Sequence, residues 1–372
     1  MSTSAQQVAV PAIGMVNSPN RFKLAVFGLN VSGGCSVTAA DGRFSGSWDD
    51  AKALAQTADR IGIDALVSVA RWRGFGGKTN FNDHSYDTLT WAAGMAAITE
   101  RIQIFSTVHV PTVHPVRMAK AAATIDAISH GRFGLNIVAG WNAGEIGMFG
   151  TAQKEHDERY AVSAEWIDVI RRLWSEDQFD FEGKYYSVPG AHSEPKPVQK
   201  PGPVVMCAGA SRAGSDFAAE HADCQFINIF GLDGLKERVA GLKQDAKQRF
   251  GKDIKVFTTT YIMCGDTEQE AKDYYDYVVN QRGDWEGARN LVRGLLPNVE
   301  NAVGDDRMVA SLIAGYGGFP LVGTPDQVVA GMQALSETGL DGVTISFVDY
   351  AEGLARMERD ILPRMKTAGL RV

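Results

Sequence analysis

Polar side chains stand at or near the ends of four short apolar runs in this sequence. Arg71 follows the first run, Thr107 lies in the second, Asn136 lies in the third, and Ser211 follows the fourth. Continuous apolar runs are typical of parallel strands covered on both faces, and the carboxyl ends of such strands meet at one edge. We therefore expect these four side chains to converge on a single site.

The segment 207–211, CAGAS, is a small-residue turn that opens into a predicted helix. Free backbone N–H groups and the helix dipole make such a turn a site for anions, to which the Ser211 hydroxyl could add. Ser211 could equally be an N-cap. Arg159 could hold phosphate oxygens with its charged fork, or could be a solvated side chain beside Asp157 and Glu158. Both interpretations stay open on the residues alone.

Asn136 is the polar residue of an otherwise apolar strand-like run. A buried Asn must find hydrogen-bond partners, which either a bound ligand or a neighbouring strand end could supply. Thr107 is also a good strand former, so its position alone assigns it no role.

Other chemistries are disfavoured. The segment GFGGK at 74–78 lacks the P-loop spacing and is interpreted as a flexible lid. His109 and His114 have no further ligand at metal spacing, so we expect no metal, and no G-x-S-x-G elbow supplies a serine nucleophile. The net charge of −7, without a basic stripe, predicts no nucleic-acid partner.

The cysteines indicate a reducing compartment, because none of the four forms a C-x-x-C pair. Residues 1–20 contain no Lys or Arg, unlike a secretory signal, and are predicted to be a flexible N-terminal extension. No apolar stretch approaches the roughly 20 residues of a membrane span. We expect a cytoplasmic protein that does not contact a membrane.

Strand-like and helix-like segments alternate along the rest of the chain. The first four strands begin at intervals of about 30–40 residues, the length of a strand–helix repeat. This α/β pattern predicts one (β/α)8 TIM barrel over residues 21–372, with insertions near 176–200 (a hairpin) and 266–320 (helical). A doubly wound sheet is disfavoured because GLNVSGGC, after the first strand, lacks the G-x-G-x-x-G spacing. The eight predicted strands are 23–27, 64–69, 101–110, 132–138, 203–207, 224–227, 255–263 and 342–347.

The sequence resembles the flavin-dependent, bacterial luciferase-like monooxygenases over roughly residues 23–350. Within that family it is most similar to the pyrimidine oxygenase branch and also similar to the dimethyl sulfone monooxygenase branch. The segments that carry the resemblance are RGFGGKTNFNDHS, TERIQIFSTVHV, KAAATIDAISHGRFGLNIVAGWN, HDERYAVSAEWIDVIRRLW and VVMCAGASRAG.

The resemblance implies a two-component enzyme, presumed homo-oligomeric, in which a separate NAD(P)H flavin reductase supplies reduced FMN. A flavin peroxide formed with O2 near the ring N5 would attack a small N-heterocycle and cleave a C–N bond. Cleavage of a C–S bond, as in the sulfone branch, is the alternative, and a deazaflavin-dependent dehydrogenase on the same barrel is a third.

The resemblance also assigns residues. Arg71 stands where the pyrimidine branch has Lys, and His109 replaces a small residue. From His109 we expect a more polar substrate pocket. The implied residues of the oxygen pocket are Thr107, Asn136, Trp141 and Val67. The implied FMN-binding residues are Ala70, Arg71, Asn136 and Glu145, with Arg159, Tyr160 and Ser211 at the phosphate.

Overall fold

A computed structural model describes residues 13–209, 211–295 and 302–372 of the chain. Its strands lie close to the apolar runs of the sequence, and most are shorter by one to three residues than predicted. The strands are β1 (Lys23–Phe27), β2 (Ala65–Val67), β3 (Gln103–His109), β4 (Phe133–Val138), β5 (Phe179–Glu182), β6 (Ser187–Ala191), β7 (Val204–Cys207), β8 (Cys224–Phe226), β9 (Lys255–Cys264), β10 (Phe319–Gly323) and β11 (Gly342–Ser346).

Helices follow most barrel strands, and many begin at a side-chain cap. Ser47, Asp87 and Thr324 each accept a hydrogen bond from the backbone N–H three residues further on, which satisfies an otherwise free donor. The helices are α1 (Gly14–Asn17), α2 (Trp48–Arg60), α3 (Thr88–Ile98), α4 (Pro115–Ile128), α5 (Ala143–Met148), α6 (His156–Ser175), α7 (Arg212–His221), α8 (Leu235–Phe250), α9 (Glu268–Asp276), α10 (Trp285–Leu295), α11 (Asp306–Gly315), α12 (Pro325–Glu337), α13 (Tyr350–Arg356) and α14 (Leu362–Thr367).

Eight of the described strands close into a parallel barrel. They pair in the order β1-β2-β3-β4-β7-β8-β9-β11, and β11 returns to β1 with Lys23 opposite Gly342. The helices between them cover the outside of the barrel, where the largest apolar cluster lies. The predicted (β/α)8 TIM barrel is confirmed.

Large apolar side chains fill the barrel lumen below its carboxyl end. Phe105, Met206 and Phe257 are fully buried and belong to one cluster. Gly134 lies beside Phe105, whose ring occupies the space that a side chain at position 134 would need. The lumen is therefore closed from below, and a ligand can enter only at the carboxyl ends of the strands.

The first described residues pack against the opposite end of the barrel. Met15 is fully buried, and its backbone N–H donates to Gln103 Oε1 at 2.9 Å. Asn20 Nδ2 donates to the buried carboxylate of Asp64 at 2.8 Å. An apolar Met and two polar anchors thus hold residues 13–20 against the barrel, and the flexible extension over residues 1–20 stays a prediction. Residues 1–12 lie outside the described residues.

Two insertions interrupt the strand–helix repeat near the predicted positions. The first is the antiparallel hairpin β5–β6. The second contains α9, α10 and α11, which form a small apolar core with Val279, Leu291 and Ile313. Its end differs from the predicted helical segment 266–320, because β10 begins at Phe319 and pairs in parallel with β9 outside the barrel. In the described residues, no helix combines the length and apolar character needed to cross a membrane.

Candidate active site

Thr107 and Asn136 face each other across neighbouring strands at the carboxyl end of the lumen. The register of β3 and β4 places the two residues opposite each other. Asn136 Nδ2 donates to Thr107 Oγ1 at 3.0 Å, and Thr107 Oγ1 in turn donates to the backbone oxygen of Ser68. Both side chains are buried. The predicted pair is therefore brought into direct contact.

This hydrogen-bond chain fixes the orientation of the Asn136 amide. The Thr107 hydroxyl has one hydrogen, which the Ser68 oxygen accepts, so Thr107 Oγ1 can only accept from Asn136. The amide must then turn its NH2 group to Thr107 and its oxygen away. Asn136 Oδ1 is buried and has no hydrogen-bond partner among the described residues. Because buried polar atoms are nearly always paired, a ligand N–H is a fitting partner.

A buried ion pair joins the ends of β2 and β4. Arg71 Nη1 lies 3.3 and 3.2 Å from the two carboxylate oxygens of Glu145, which α5 carries. Glu145 Oε1 also accepts from the backbone N–H of Trp72 at 2.9 Å. The two side chains are 1% and 0% exposed, so the charges compensate each other inside the protein.

Aromatic rings surround the Arg71 guanidinium. Its Cζ lies 4.8 Å from the centre of the Phe75 ring and 5.0 Å from that of Trp141. Arg71 Nη2 donates to the Tyr316 hydroxyl at 3.1 Å. Tyr316 comes from the second insertion and adopts a left-handed backbone with φ of 55°. The insertion therefore supplies part of the wall above the barrel mouth.

The glycine-rich segment 74–78 is packed against α10 in this structure. Asp284 Oδ2 accepts from Thr79 N at 2.6 Å and from Thr79 Oγ1 at 2.7 Å. Gly77 has φ of +68°, and a Cβ there would lie 2.5 Å from Asp284 Oδ1. Burial acts to raise the pKa of Asp284, but the donors from Gly287 and Thr79 outweigh it and keep this pKa below its ordinary value.

Tyr160 and Ser211 lie beside a point where two segments of the backbone, at Gly209 and Gly214, approach each other closely. A Cβ on Gly209 would lie 2.7 Å from Gly214 Cα and 2.8 Å from the Tyr160 hydroxyl. Ser211 Oγ accepts from Gly214 N at 3.1 Å, so Ser211 is the N-cap of α7. Burial raises the pKa of Tyr160, while the neighbouring Ser211 hydroxyl and the charge of Arg159 oppose that rise. Ala210 of the predicted AGAS turn lies outside the described residues.

Arg159 reaches from the first turn of α6 to the loop after β4. Its Nη1 donates to the Gly140 backbone oxygen, and its buried Nε has no partner among the described residues. Arg159 lines a cavity of about 400 Å³ together with Lys154 and Lys184. Lys154 is paired with Glu158 at 2.9 Å, so Arg159 and Lys184 are the two cations that favour an anionic ligand group here.

A second cavity, of about 170 Å³, lies between the ends of β2 and β3. Ala70, Arg71, Thr107 and His109 contribute to its wall. Val67 ends β2 and is buried in the lumen cluster. Burial, together with the charge of Arg71, lowers the pKa of His109 to about 3. The imidazole is therefore neutral near pH 7.

The predicted residues thus form three groups at the ends of neighbouring strands. Thr107 and Asn136 form one, Arg71, Glu145 and Trp141 form the second, and Tyr160 and Ser211 form the third.

Sequence reasoning missed Ser68, Phe75, Tyr316 and Asp284. Their roles are set by contacts that are distant in sequence. Within the described ranges, no group of three or more His, Cys, Asp or Glu side chains could hold a metal ion.

Comparison with known proteins gives consistent matches. The sequence profile of the luciferase-like monooxygenases matches residues 23–342. The chain is 30% identical to the pyrimidine monooxygenase RutA of Acinetobacter baylyi, over 92% of this chain and 94% of the relative. It is 31% identical to the FMNH2-dependent dimethylsulfone monooxygenase of Pseudomonas putida, over 92% of this chain and 95% of the relative.

Solved structures share the fold at lower sequence identity. Riboflavin lyase RcaE, solved with modified FMN and riboflavin, superimposes with a TM-score of 0.85 at 19% identity, covering 95% of this chain and 93% of RcaE. DmoA from Hyphomicrobium sulfonivorans gives a TM-score of 0.80 at 22% identity, covering 94% and 89%. An F420-dependent secondary alcohol dehydrogenase also matches, with a TM-score of 0.69 at 16% identity. At these identities the likeness shows the fold alone.

Proposed function

Since the chain belongs to the luciferase-like monooxygenase family, we propose that it is a two-component, FMN-dependent monooxygenase. A separate NAD(P)H flavin reductase would supply reduced FMN, and O2 would be the oxidant. The substrate would be a small N-heterocycle of the pyrimidine-like amide class, and a C–N bond would be cleaved.

The unpartnered Asn136 Oδ1 is the observation that carries this proposal. It is a buried acceptor at the mouth of a barrel whose lumen is closed below. A reduced isoalloxazine carries ring N–H donors, so its edge suits this acceptor. The second hydrogen of Asn136 Nδ2 is left to orient a small oxygen species, because the first is donated to Thr107.

The other end of the site suits the FMN phosphate. Arg159 Nε, the Ser211 hydroxyl and the Tyr160 hydroxyl would bind its oxygens near the Gly209–Gly214 crossing. A charged fork and a helix N-terminus are both favourable for a phosphate. Ala70, Arg71 and Glu145 would contact the flavin between the two ends, although both Nη atoms of Arg71 already have protein partners.

The chain itself would position the reactants and keep water out. When bound, reduced FMN supplies the two electrons that activate O2, one of whose atoms enters the substrate. Val67 would close the lumen side, while Trp141 and Phe75, stacked with an interplanar angle of 6°, would cover the mouth. A dry pocket prevents loss of the activated oxygen to water.

The alternative is oxidation of a small sulfone with C–S cleavage. It is supported by the relative from Pseudomonas putida, whose identity of 31% is close to the 30% of the pyrimidine monooxygenase from Acinetobacter baylyi. Both substrate classes are neutral, and both suit a pocket in which the Arg71 charge is compensated by Glu145.

A substrate screen tests the proposal. The purified protein is mixed with FMN, a generic flavin reductase, NADH and ¹⁸O2, and products are analysed by mass spectrometry. We expect one ¹⁸O atom in the product of a pyrimidine-like amide. Incorporation only from sulfones would favour the alternative. Turnover only with reduced deazaflavin, without oxygen uptake, would refute the proposal.

A further inference from the structure

His109 is a buried side chain that the proposed function leaves without a role. It is the last residue of β3 and is 2% exposed. Alternate side chains of a strand share a face, so His109 lies on the same face as Thr107, one step nearer to the mouth. Both residues line the 170 Å³ cavity between the ends of β2 and β3.

Among residues 13–209, 211–295 and 302–372, the His109 ring has no hydrogen-bond partner that would explain its burial. Its Nδ1 is buried and makes no hydrogen bond within the described part of the chain. The hydrogen bond that Thr112 Oγ1 donates, at 2.8 Å, goes to the His109 backbone oxygen and not to the ring. An unpaired buried polar atom is rare and unfavourable, so a ligand atom is a fitting partner for this nitrogen.

Arg71 brings a second unpaired group to the same cavity. Its two Nη atoms bind Glu145 and Tyr316, but its buried Nε has no partner among the described residues. Arg71 Nε can only donate, whereas a neutral imidazole has one donor nitrogen and one acceptor nitrogen. The side chains that line the cavity therefore include a donor and an acceptor that have no partner among the described residues.

The buried charges around the cavity are balanced. Arg71 is paired with Glu145, and burial together with Arg71 keeps His109 neutral by lowering its pKa to about 3. The two carboxylates in the wall are exposed to solvent, and each accepts a backbone hydrogen bond: Asp83 from Gly74 N at 3.0 Å and Asp87 from Thr90 N at 2.8 Å. A neutral ligand fits this environment.

We propose that His109 is a specificity-determining residue that accepts a hydrogen bond from the ring N–H of a cyclic amide, while Arg71 Nε donates to the adjacent carbonyl oxygen. This inference rests on the proposed function, because it assigns the substrate pocket of the same site. A cyclic amide carries a donor and an acceptor on neighbouring groups, whereas a sulfone carries two acceptors and no donor. A cavity of about 170 Å³ is below the roughly 300–1,000 Å³ typical for larger ligands and suits a single ring.

The test measures binding without turnover. FMN-loaded protein, without reductase or NAD(P)H, is titrated by calorimetry with uracil, with 1,3-dimethyluracil and with dimethyl sulfone. The two pyrimidines share their carbonyl groups, but only uracil has ring N–H groups. The variants are His109→Leu, which removes the acceptor, and His109→Gln, which retains one. His192→Leu, at an exposed position on the hairpin side, is the control.

We expect the wild-type protein to bind uracil about tenfold more tightly than 1,3-dimethyluracil, as one buried hydrogen bond provides. His109→Leu should abolish that preference, while His109→Gln and His192→Leu should keep most of it, and FMN affinity should be the same in all four proteins. A uracil preference that survives in His109→Leu would overturn the inference alone. Wild-type binding of the sulfone but not of uracil would overturn the inference and also favour the sulfone alternative of the proposed function. Failure of the wild-type protein to bind FMN would overturn the proposed function as well.

Discussion

Replacing Arg159 with Ala should selectively weaken the binding of the FMN phosphate. Arg159 Nε is buried and unpartnered in the described structure, so it is available to a phosphate oxygen. A charge-assisted hydrogen bond contributes about 1.5–3 kcal/mol, which corresponds to a 10- to 150-fold increase in the FMN dissociation constant. Riboflavin has the same ring system and no phosphate, so its affinity should change by less than about threefold.

The assay is a fluorescence titration of oxidised FMN and of riboflavin at fixed ionic strength. Arg172→Ala is the matched control, since Arg172 lies on the same helix but pairs with Glu176 at 2.7 Å and packs on the Phe179 ring. Arg159→Gln keeps a donor for the Gly140 oxygen without the charge and should give an intermediate FMN affinity.

Two results would refute the reasoning. Unchanged FMN affinity in Arg159→Ala would remove Arg159 from the phosphate site. Equal losses for FMN and riboflavin would mean that the substitution acts through the Gly140 loop and the ring site, rather than through the phosphate.

Three further predictions follow from the buried contacts. Thr107→Ala or Asn136→Ala should abolish product formation in the ¹⁸O2 assay while the thermal unfolding midpoint stays within a few degrees; full turnover in both would contradict the oxygen-site assignment. Glu145→Ala leaves the buried Arg71 charge unpaired, which costs about 3–5 kcal/mol and should lower the midpoint by roughly 4–6 °C for a chain of this length; calorimetry showing no shift would contradict this. Asp284→Ala should speed amide hydrogen exchange in segment 74–80 at least tenfold, because Thr79 loses both hydrogen bonds to Asp284, and unchanged exchange would show that other contacts hold the segment.

The barrel was predictable because its strands are short apolar runs at a regular spacing. Chain segments whose conformation depends on partners distant in sequence could not be predicted. β10 forms because Phe319–Gly323 pairs with the part of β9 that extends beyond the barrel. Residues 13–20 are ordered because Met15 and Asn20 find partners on Gln103 and Asp64. Neither partnership leaves a local signal in the sequence.

The strand ends that carry the candidate site could be predicted from the sequence, but the contacts of each side chain there could not. Thr107 and Asn136 lie at the ends of adjacent strands, so their contact follows from the barrel order. The direction of the Asn136 amide does not, because the Ser68 backbone oxygen decides it. The residues around Arg71 could not be predicted either, because Tyr316 and Phe75 contact it from separate loops.

A crystal structure of the protein soaked with FMN tests the central claim most directly. We predict that the isoalloxazine edge lies within hydrogen-bond distance of Asn136 Oδ1 and that the phosphate contacts Arg159, Tyr160 and Ser211. A flavin bound away from the barrel mouth, or no flavin density at saturating FMN, would contradict the account.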